Sequence, residues 1–558
     1  MARSPLIKIL RQAYKVTQIS RKSDIPPFEV LGSINERISR RRLLQGGLAL
    51  ASAVAATTFR RDEYRAVARV PPILVVGAGI AGLTAAYRLR QAGVRVDIIE
   101  ARNRVGGRMR SLPKAAGTGL TAELGGEFID SDHTCLRSLA TELGLNIVDL
   151  LTAEQGLIKD TYFFDGRSVE IAEIIRDFAP VARQIDADLE AIANFESYAV
   201  FDRPTAKLDN LSIAEYLDRI PTTQMIRELI LVAYTIEYGR DVEEQSCLNL
   251  LYLIGTQPGE FSIFGTSDER FYIDGGNDQV PRRLAQLLAD SIQTGTVLES
   301  IKSRPDNRYR VSLRSGDKTF ERNYERILLT VPFSVLRKIR LDVDLPPVKR
   351  LAIKTLGYGR NAKLITGYRE PVWRTRYGST ANIYTDLSFQ NTWESSQSRY
   401  TPGQGLITNY TGGRQGLVLG TATPEIHAQK LGAQLNQVFP GIDAVRLQGT
   451  AKRTRWLSEQ YSRGSYACYL VGQWTQMYGV ERERVGNLFF AGEHTSLEYQ
   501  GYMEGGCETG EAVAVAILED LRKADADRQR ERLRRNRRAR RRQRGRFPFR
   551  RRQQMVES

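Results

Sequence analysis

The chain has 558 residues, 42% of them apolar, and a formal charge of +17. That length and apolar content exclude a small module or a largely disordered protein and imply two or more domains with sizeable cores. The charge excludes less than it suggests, because the ends carry it: fifteen Arg against one acid from Arg528 to Arg552, and ten Lys or Arg against three acids in residues 1–42.

Residues 1–56 read as an export signal. Ser39-Arg40-Arg41-Arg42-Leu43-Leu44 resembles the twin-arginine pattern, with Leu43 where Phe is commonest. Gly46 to Ala56 is a weakly apolar run of 11 residues, shorter than the ~20 a membrane-spanning helix needs. Ala53-Val54-Ala55 supplies an A-x-A cleavage site. A periplasmic or other extracytoplasmic location is therefore expected.

The stretch from Ile73 to Arg108 organises the rest of the chain. Ile73 to Val76 is an apolar, β-branched run of the kind that forms buried parallel strands. Gly77-Ala78-Gly79-Ile80-Ala81-Gly82 comes next, then a helix-like run from Leu83 to Gln91 and a second strand from Val94 to Ile99, ending in Glu100. Gly77 suits the tight turn, Gly79 a close approach of pyrophosphate, and Gly82 close packing of helix on strand. The helix N-terminus would hold phosphates, and Glu100 lies where a carboxylate can accept ribose hydroxyls.

The turn Arg104-Val105-Gly106-Gly107-Arg108 decides between dinucleotides. It resembles the flavin amine oxidase family, the monoamine oxidase and L-amino-acid oxidase-like flavoproteins, in which such a turn wraps the FAD pyrophosphate. The resemblance spans about residues 71–520. It implies FAD contacts from Arg102, Gly106, Gly107 and Arg108, and from Gly125-Gly126-Glu127-Phe128 past the flavin ring.

Further along, residues 151–265 are helix-rich and read as the first part of a substrate domain. Thr296–Ile301 and Arg308–Leu313 look like a hairpin, and the resemblance sets Leu298 on the adenine side of FAD. Arg326 to Val331 is a buried strand stopped by Pro332. Leu356 to Leu364 resembles the family segment that sets a lysine, here Lys363, beside flavin N5, where a lysine–water contact assists reoxidation by O2. Near the end, the resemblance assigns Trp456, Glu493 of Ala491-Gly492-Glu493, and Met503 of Gly501-Tyr502-Met503-Glu504-Gly505 to the cofactor.

Tyr466 and Tyr502 match the two rings that monoamine oxidases set against the flavin to orient a neutral amine. Two departures matter. Ser465 stands where those enzymes carry the cysteine that binds FAD covalently, so the cofactor is expected to be non-covalent. No arginine follows Gly125-Gly126, so the carboxylate clamp of many L-amino-acid oxidases is missing, unless Arg463 or a substrate-domain residue supplies one.

The fold class is thus α/β, a Rossmann-type FAD-binding domain (71–150, 266–345, 451–520) interleaved with an α+β substrate domain (151–265, 346–450). The implied reaction is oxidative deamination of an amine or L-amino acid, a cationic one such as a basic amino acid or polyamine being favoured. It yields an imine, then an aldehyde or 2-oxo acid, with ammonia and H2O2. Two alternatives stand: a dehydrogenase passing electrons to a membrane quinone, and a surface-binding protein with a vestigial flavin fold. Scattered Cys and His offer no metal-ligand spacing, so no metal is expected. Four cysteines in an exported protein allow a disulfide, which the sequence does not pair; buried free thiols are the favoured expectation. Residues 525–558 are expected to be a disordered basic tail, suited to an anionic membrane surface, with nucleic acid the least favoured partner of an exported protein.

Overall fold

A computed structural model describes residues 71–396 and 403–544. The export signal and the Phe547-Pro548-Phe549 end of the chain lie outside those residues.

A five-stranded, all-parallel sheet forms the centre of the first domain. Its order is Leu488–Phe490, Ile327–Leu329, Ile73–Val76, Val96–Ile99, Ile292–Gln293. The strand Ile73–Val76 is buried along its whole length, as a central parallel strand with both faces covered must be. A four-stranded sheet, containing Thr296–Ser303 and Tyr309–Ser315 as antiparallel neighbours, is attached beside it. The predicted hairpin is therefore part of a larger unit, completed by Lys318–Tyr324 and, in parallel, Arg340–Asp342.

The second domain is built on a seven-stranded sheet ordered Lys452–Arg455, Ala362–Tyr368, Gly405–Thr411, Asn391–Glu394, Ser379–Thr385, Ile158–Phe164, Arg167–Val169. Helices between residues 171 and 251 cover it and form the largest apolar cluster with it. The domain boundary placed at residue 450 moves, because Lys452–Arg455 pairs with Ala362–Tyr368 and so belongs to this sheet.

The expectation of a disordered tail over residues 525–558 is corrected for residues 525–544, while residues 545–558 lie outside those described. One helix runs from Met503 to Arg544. Arginine is a strong helix former, and Glu531 pairs with Arg535 one turn on at 2.7 Å, so local propensity extends the helix past its last buried residue, Leu521. Its N-terminal half lies against the helix Ile80–Gln91. A Cβ at Gly510 would stand 2.5 Å from the Ala81 carbonyl oxygen, so only glycine allows this approach.

Arg88 locks the contact. Its Nε donates to Glu511 at 2.7 Å and its Nη2 to Glu142 at 2.8 Å, with Arg88 and Glu511 both 11% exposed. Removing the cation would leave the buried Glu511 carboxylate without its partner, whereas Glu142, 35% exposed, keeps contact with water. Arg88→Met should therefore destabilise the protein by about 3 kcal/mol, read as a lowered thermal midpoint in calorimetry. An unchanged midpoint would show that the cluster contributes nothing net.

Candidate active site

The nucleotide end of the site forms at the C-terminal edge of the parallel sheet. Gly77 takes φ +106, and its N–H donates to the Ile99 carbonyl at 2.8 Å. A Cβ at Gly82 would lie 2.1 Å from the Gly77 oxygen. The sequence therefore turns there and packs its helix on the strand only with these two glycines. Gly79 has no atom within 4 Å of where a Cβ would stand, and it faces the cavity.

Glu100 bridges the two glycine turns, accepting from the Ala78 N–H and the Arg102 N–H, each at 2.9 Å. The Gly106 N–H donates to the Ala78 carbonyl at 2.8 Å, so the second turn closes over the first. Arg102 reaches the Ser462 hydroxyl at 2.9 Å. Arg108 donates to Glu493 at 2.8 Å and to the Ser465 carbonyl.

One cavity of about 630 Å³ runs from here into the second domain. Every residue assigned from the sequence to cofactor or catalysis lines it except Gly82, which acts beneath the turn: Gly77, Gly79, Glu100, Arg102, Gly106, Gly107, Arg108, Gly125, Gly126, Glu127, Phe128, Leu298, Lys363, Trp456, Tyr466, Glu493, Tyr502 and Met503. A cavity lined by a helix N-terminus and two glycine turns fits a dinucleotide. Met503 and Gly506 put the start of the long C-terminal helix on the cavity wall, where its dipole favours negative charge. Among the described lining residues there is no cysteine, and Ser465 donates its hydroxyl to Asn361 at 2.6 Å. The cavity thus holds no thiol to tether a flavin.

Lys363 stands at the junction of the two domains. From its strand it donates to Glu127 Oε2 at 2.7 Å, the Gly125 carbonyl at 2.8 Å and the Glu123 carbonyl at 3.2 Å. All three ammonium protons are thereby used. Glu127 accepts in addition from Ser395 at 2.7 Å. In this geometry Lys363 secures the loop that passes the Gly125-Gly126 pair. Holding a water as well would require it to release one of these three acceptors.

The tyrosines are fixed by a residue that no sequence motif singles out. Tyr466 donates to the Glu237 carbonyl at 2.6 Å and is bonded to the Tyr410 hydroxyl at 2.8 Å. Tyr502 reaches the Glu237 carboxylate at 3.4 Å. Glu237 sits in the last turn of the helix Gln224–Tyr238, stopped by Gly239 at φ +70. Trp393, Tyr410, Asp130 and Glu269 complete this end. None of the five belongs to a local motif. Only Tyr410, directly opposite Lys363 in strand register, could have been inferred once the strands were paired.

This end is acidic. Burial raises the Glu237 carboxyl above its usual range, with Asp130 adding to it. Burial, reinforced by Asp130 and Glu237, pushes Glu269 up to about 8. Glu269 also holds φ +49, a left-handed conformation costly for a side-chain-bearing residue. Asp130 imposes it by accepting the Glu269 N–H at 2.8 Å. Neighbouring His133, whose Nδ1 accepts the Asp130 N–H at 3.0 Å, is held neutral by burial, its pKa down to about 3. Asp130, Asp132 and His133 together resemble a metal-ligand group. With Nδ1 accepting a hydrogen bond, however, the proton of neutral His133 sits on Nε2, the nitrogen that would have to bind a metal.

Comparison with known proteins agrees with this geometry. Residues 80–518 match the family model described as flavin containing amine oxidoreductase. Amine oxidase [flavin-containing] B of Canis lupus familiaris is 27% identical over 468 residues, covering 81% of this chain and 86% of the relative. Amine oxidase [flavin-containing] A of Sus scrofa is 25% identical over 474 residues, covering 83% and 88%. Two solved structures share the fold: cyclohexylamine oxidase from Brevibacterium oxydans IH-35A (TM-score 0.70, 22% identity, 81% of this chain and 99% of that one) and wild-type putrescine oxidase bound to putrescine (0.67, 21%, 80% and 99%).

The chain belongs to the flavin-containing amine oxidoreductases. It is an FAD enzyme of the CH–NH2 oxidoreductase class that deaminates amines oxidatively, and the vestigial, non-enzymatic reading falls. FAD held by the glycine turns would supply the hydride acceptor for the amine and the centre at which O2 reoxidises the enzyme. The chain's own contribution is to hold the two tyrosines through Glu237 and to secure the Gly125-Gly126 loop through Lys363.

Lys363→Met should lower FAD occupancy, measured as the ratio of flavin to protein absorbance, and slow reoxidation by O2 in stopped flow by roughly tenfold or more, ~1.4 kcal/mol. Lys363→Met should also lose stability, chiefly because Glu127 is left buried without its cationic partner. The double variant Lys363→Met/Glu127→Gln should therefore melt closer to the parent than Lys363→Met alone. Additive losses would disprove the coupling.

Proposed function

We propose that the amine oxidised here carries a second positive charge and no α-carboxylate: a diamine or polyamine in preference to an L-amino acid. The observation that carries this reading is the acidic end of the cavity, where Glu237 and Glu269 line the wall beside Tyr466 and Tyr502. Once these carboxyls ionise, a substrate carboxylate would meet like charge there, whereas an ammonium would stabilise the ionised form. Among the described residues lining this end, no cation stands ready to clamp a carboxylate. Lys363 is committed to Glu127. Arg463 belongs to a loop whose neighbours Ser462 and Ser465 hold Arg102 and Arg108 on the nucleotide side. Putrescine, the ligand of one structural neighbour, is itself a diamine.

Peroxide release from the chain beginning after residue 56 should be fastest with putrescine or spermidine, slower with monoamines of matched length, and negligible with L-arginine and L-lysine. Amino acids as the only substrates would overturn the proposal. Glu269→Gln should raise KM for the diamine about tenfold while changing a monoamine little. The pH dependence has a definite sign. Glu269, with its pKa near 8, must ionise to face a cation. Diamine kcat/KM should therefore fall as pH drops below about 8, more steeply than in Glu269→Gln.

The remaining assignments concern place. The twin-arginine pattern and the A-x-A site in residues 1–56 support export to the periplasm. The arginine-rich end of the C-terminal helix supports contact with an anionic lipid surface. Among the described residues no helix is long and apolar enough to cross a membrane. Vesicles of phosphatidylglycerol should retain the full chain at low salt and release it at high salt. They should not retain a chain ending at Lys523. Equal retention of both would refute the docking role, and faster reoxidation by a quinone than by O2 would favour the dehydrogenase reading.

A further inference from the structure

We propose that Cys135 and Cys507 form a peroxide-responsive thiol pair that the enzyme's own product closes to a disulfide. The two thiols come from elements 372 residues apart in sequence, and their Sγ atoms lie 2.9 Å apart. Cys135 is in the first turn of the helix Thr134–Glu142, and Cys507 is in the second turn of the C-terminal helix. The two backbones are already locked here, because the Glu504 carboxylate accepts the N–H groups of Cys135 and Leu136, each at 2.7 Å. The sulfurs are thus presented to each other by a fixed framework. The other cysteines differ: Cys247 and Cys468 are fully buried in the large apolar cluster and face backbone carbonyls.

The oxidant is produced alongside. Gly506, the residue before Cys507, and Met503, one turn earlier, both line the cavity in which O2 is reduced to H2O2. Cys135 is only partly buried, so a molecule as small as peroxide can reach it. The Cys135 sulfur attacks one peroxide oxygen, the O–O bond breaks, and sulfenic acid and water form. The Cys507 sulfur then attacks the sulfenic sulfur, its thiol proton leaving with the hydroxyl as a second water. Two thiols lose two electrons and one peroxide gains them. Contact between the thiols, together with burial, holds Cys135 well above the usual thiol range, and burial raises Cys507. Only a small thiolate fraction reacts at neutral pH. The bond should accumulate over many turnovers and form faster as pH rises.

The inference rests on the oxidase reading only for the source of peroxide, so the experiment has two arms. Reduced full-length holoenzyme is given either putrescine and O2 or H2O2 directly, then denatured in N-ethylmaleimide and mapped by non-reducing mass spectrometry. The expected result is a Cys135–Cys507 cross-linked peptide in both arms, with Cys247 and Cys468 alkylated. Catalase should suppress it in the substrate arm, and the oxidised enzyme should melt several degrees above Cys507→Ser treated in the same way. Alkylation of Cys135 and Cys507 in both arms would overturn the proposal. A cross-link with added H2O2, but none in a substrate arm where peroxide release is measured, would overturn the claim that the enzyme supplies the oxidant. A cross-link with added H2O2 where putrescine releases no peroxide supports the thiol pair and counts against putrescine as the substrate.

Discussion

A single buried ammonium joins the two domains at the cavity. Lys363 projects from the substrate-domain sheet and Glu127 from the loop after the FAD-domain strand Ala122–Glu123, with side chains 8% and 5% exposed. Neither charge would be tolerated alone at that depth. Their pairing, completed by Ser395 and by the Gly125 and Glu123 carbonyls, offsets the lost hydration. The relative placement of cofactor loop and substrate wall therefore depends on a salt bridge whose two halves lie 236 residues apart. A lysine that the family resemblance assigns to O2 chemistry thus has a structural task as well.

The nucleotide end obeys a different constraint, contact between backbones. The turn at Gly77, its cover at Gly106-Gly107 and the helix crossing at Gly510 each bring main chain against main chain. The gain is a set of N–H groups directed at a dinucleotide and a rigid floor beneath them. Arg88, bridging Glu142 and Glu511, holds that floor from the far side. The same crossing sets the start of the C-terminal helix on the cavity wall and brings Cys507 to Cys135.

At the substrate end the organisation is electrostatic. Glu237 orients both tyrosines through its carbonyl and its carboxylate, while Asp130 holds Glu269 in a left-handed conformation. Strain and like charge are concentrated where a cationic substrate would offset them, in line with the tendency of perturbed carboxyls to gather at functional sites.

The FAD domain and its cofactor are readable from the residue string alone. The residues that hold a dinucleotide act through local geometry, so Gly77 to Gly82, Glu100 and Gly106-Gly107 are readable as a string. Lys363, Tyr466 and Tyr502 are legible by motif, though not their partners. By charge alone the arginine-rich run reads as too repulsive to fold, whereas helix propensity carries it to Arg544. The charge of the substrate end emerges only when the chain is packed. Glu237, Glu269, Trp393 and Tyr410 come from separate helices, loops and strands with no marking motif beside them, and Asp130, although it follows the Gly125–Phe128 motif closely, is not assigned by it. Their chemistry arises from being buried together, and burial is a property of the packed chain.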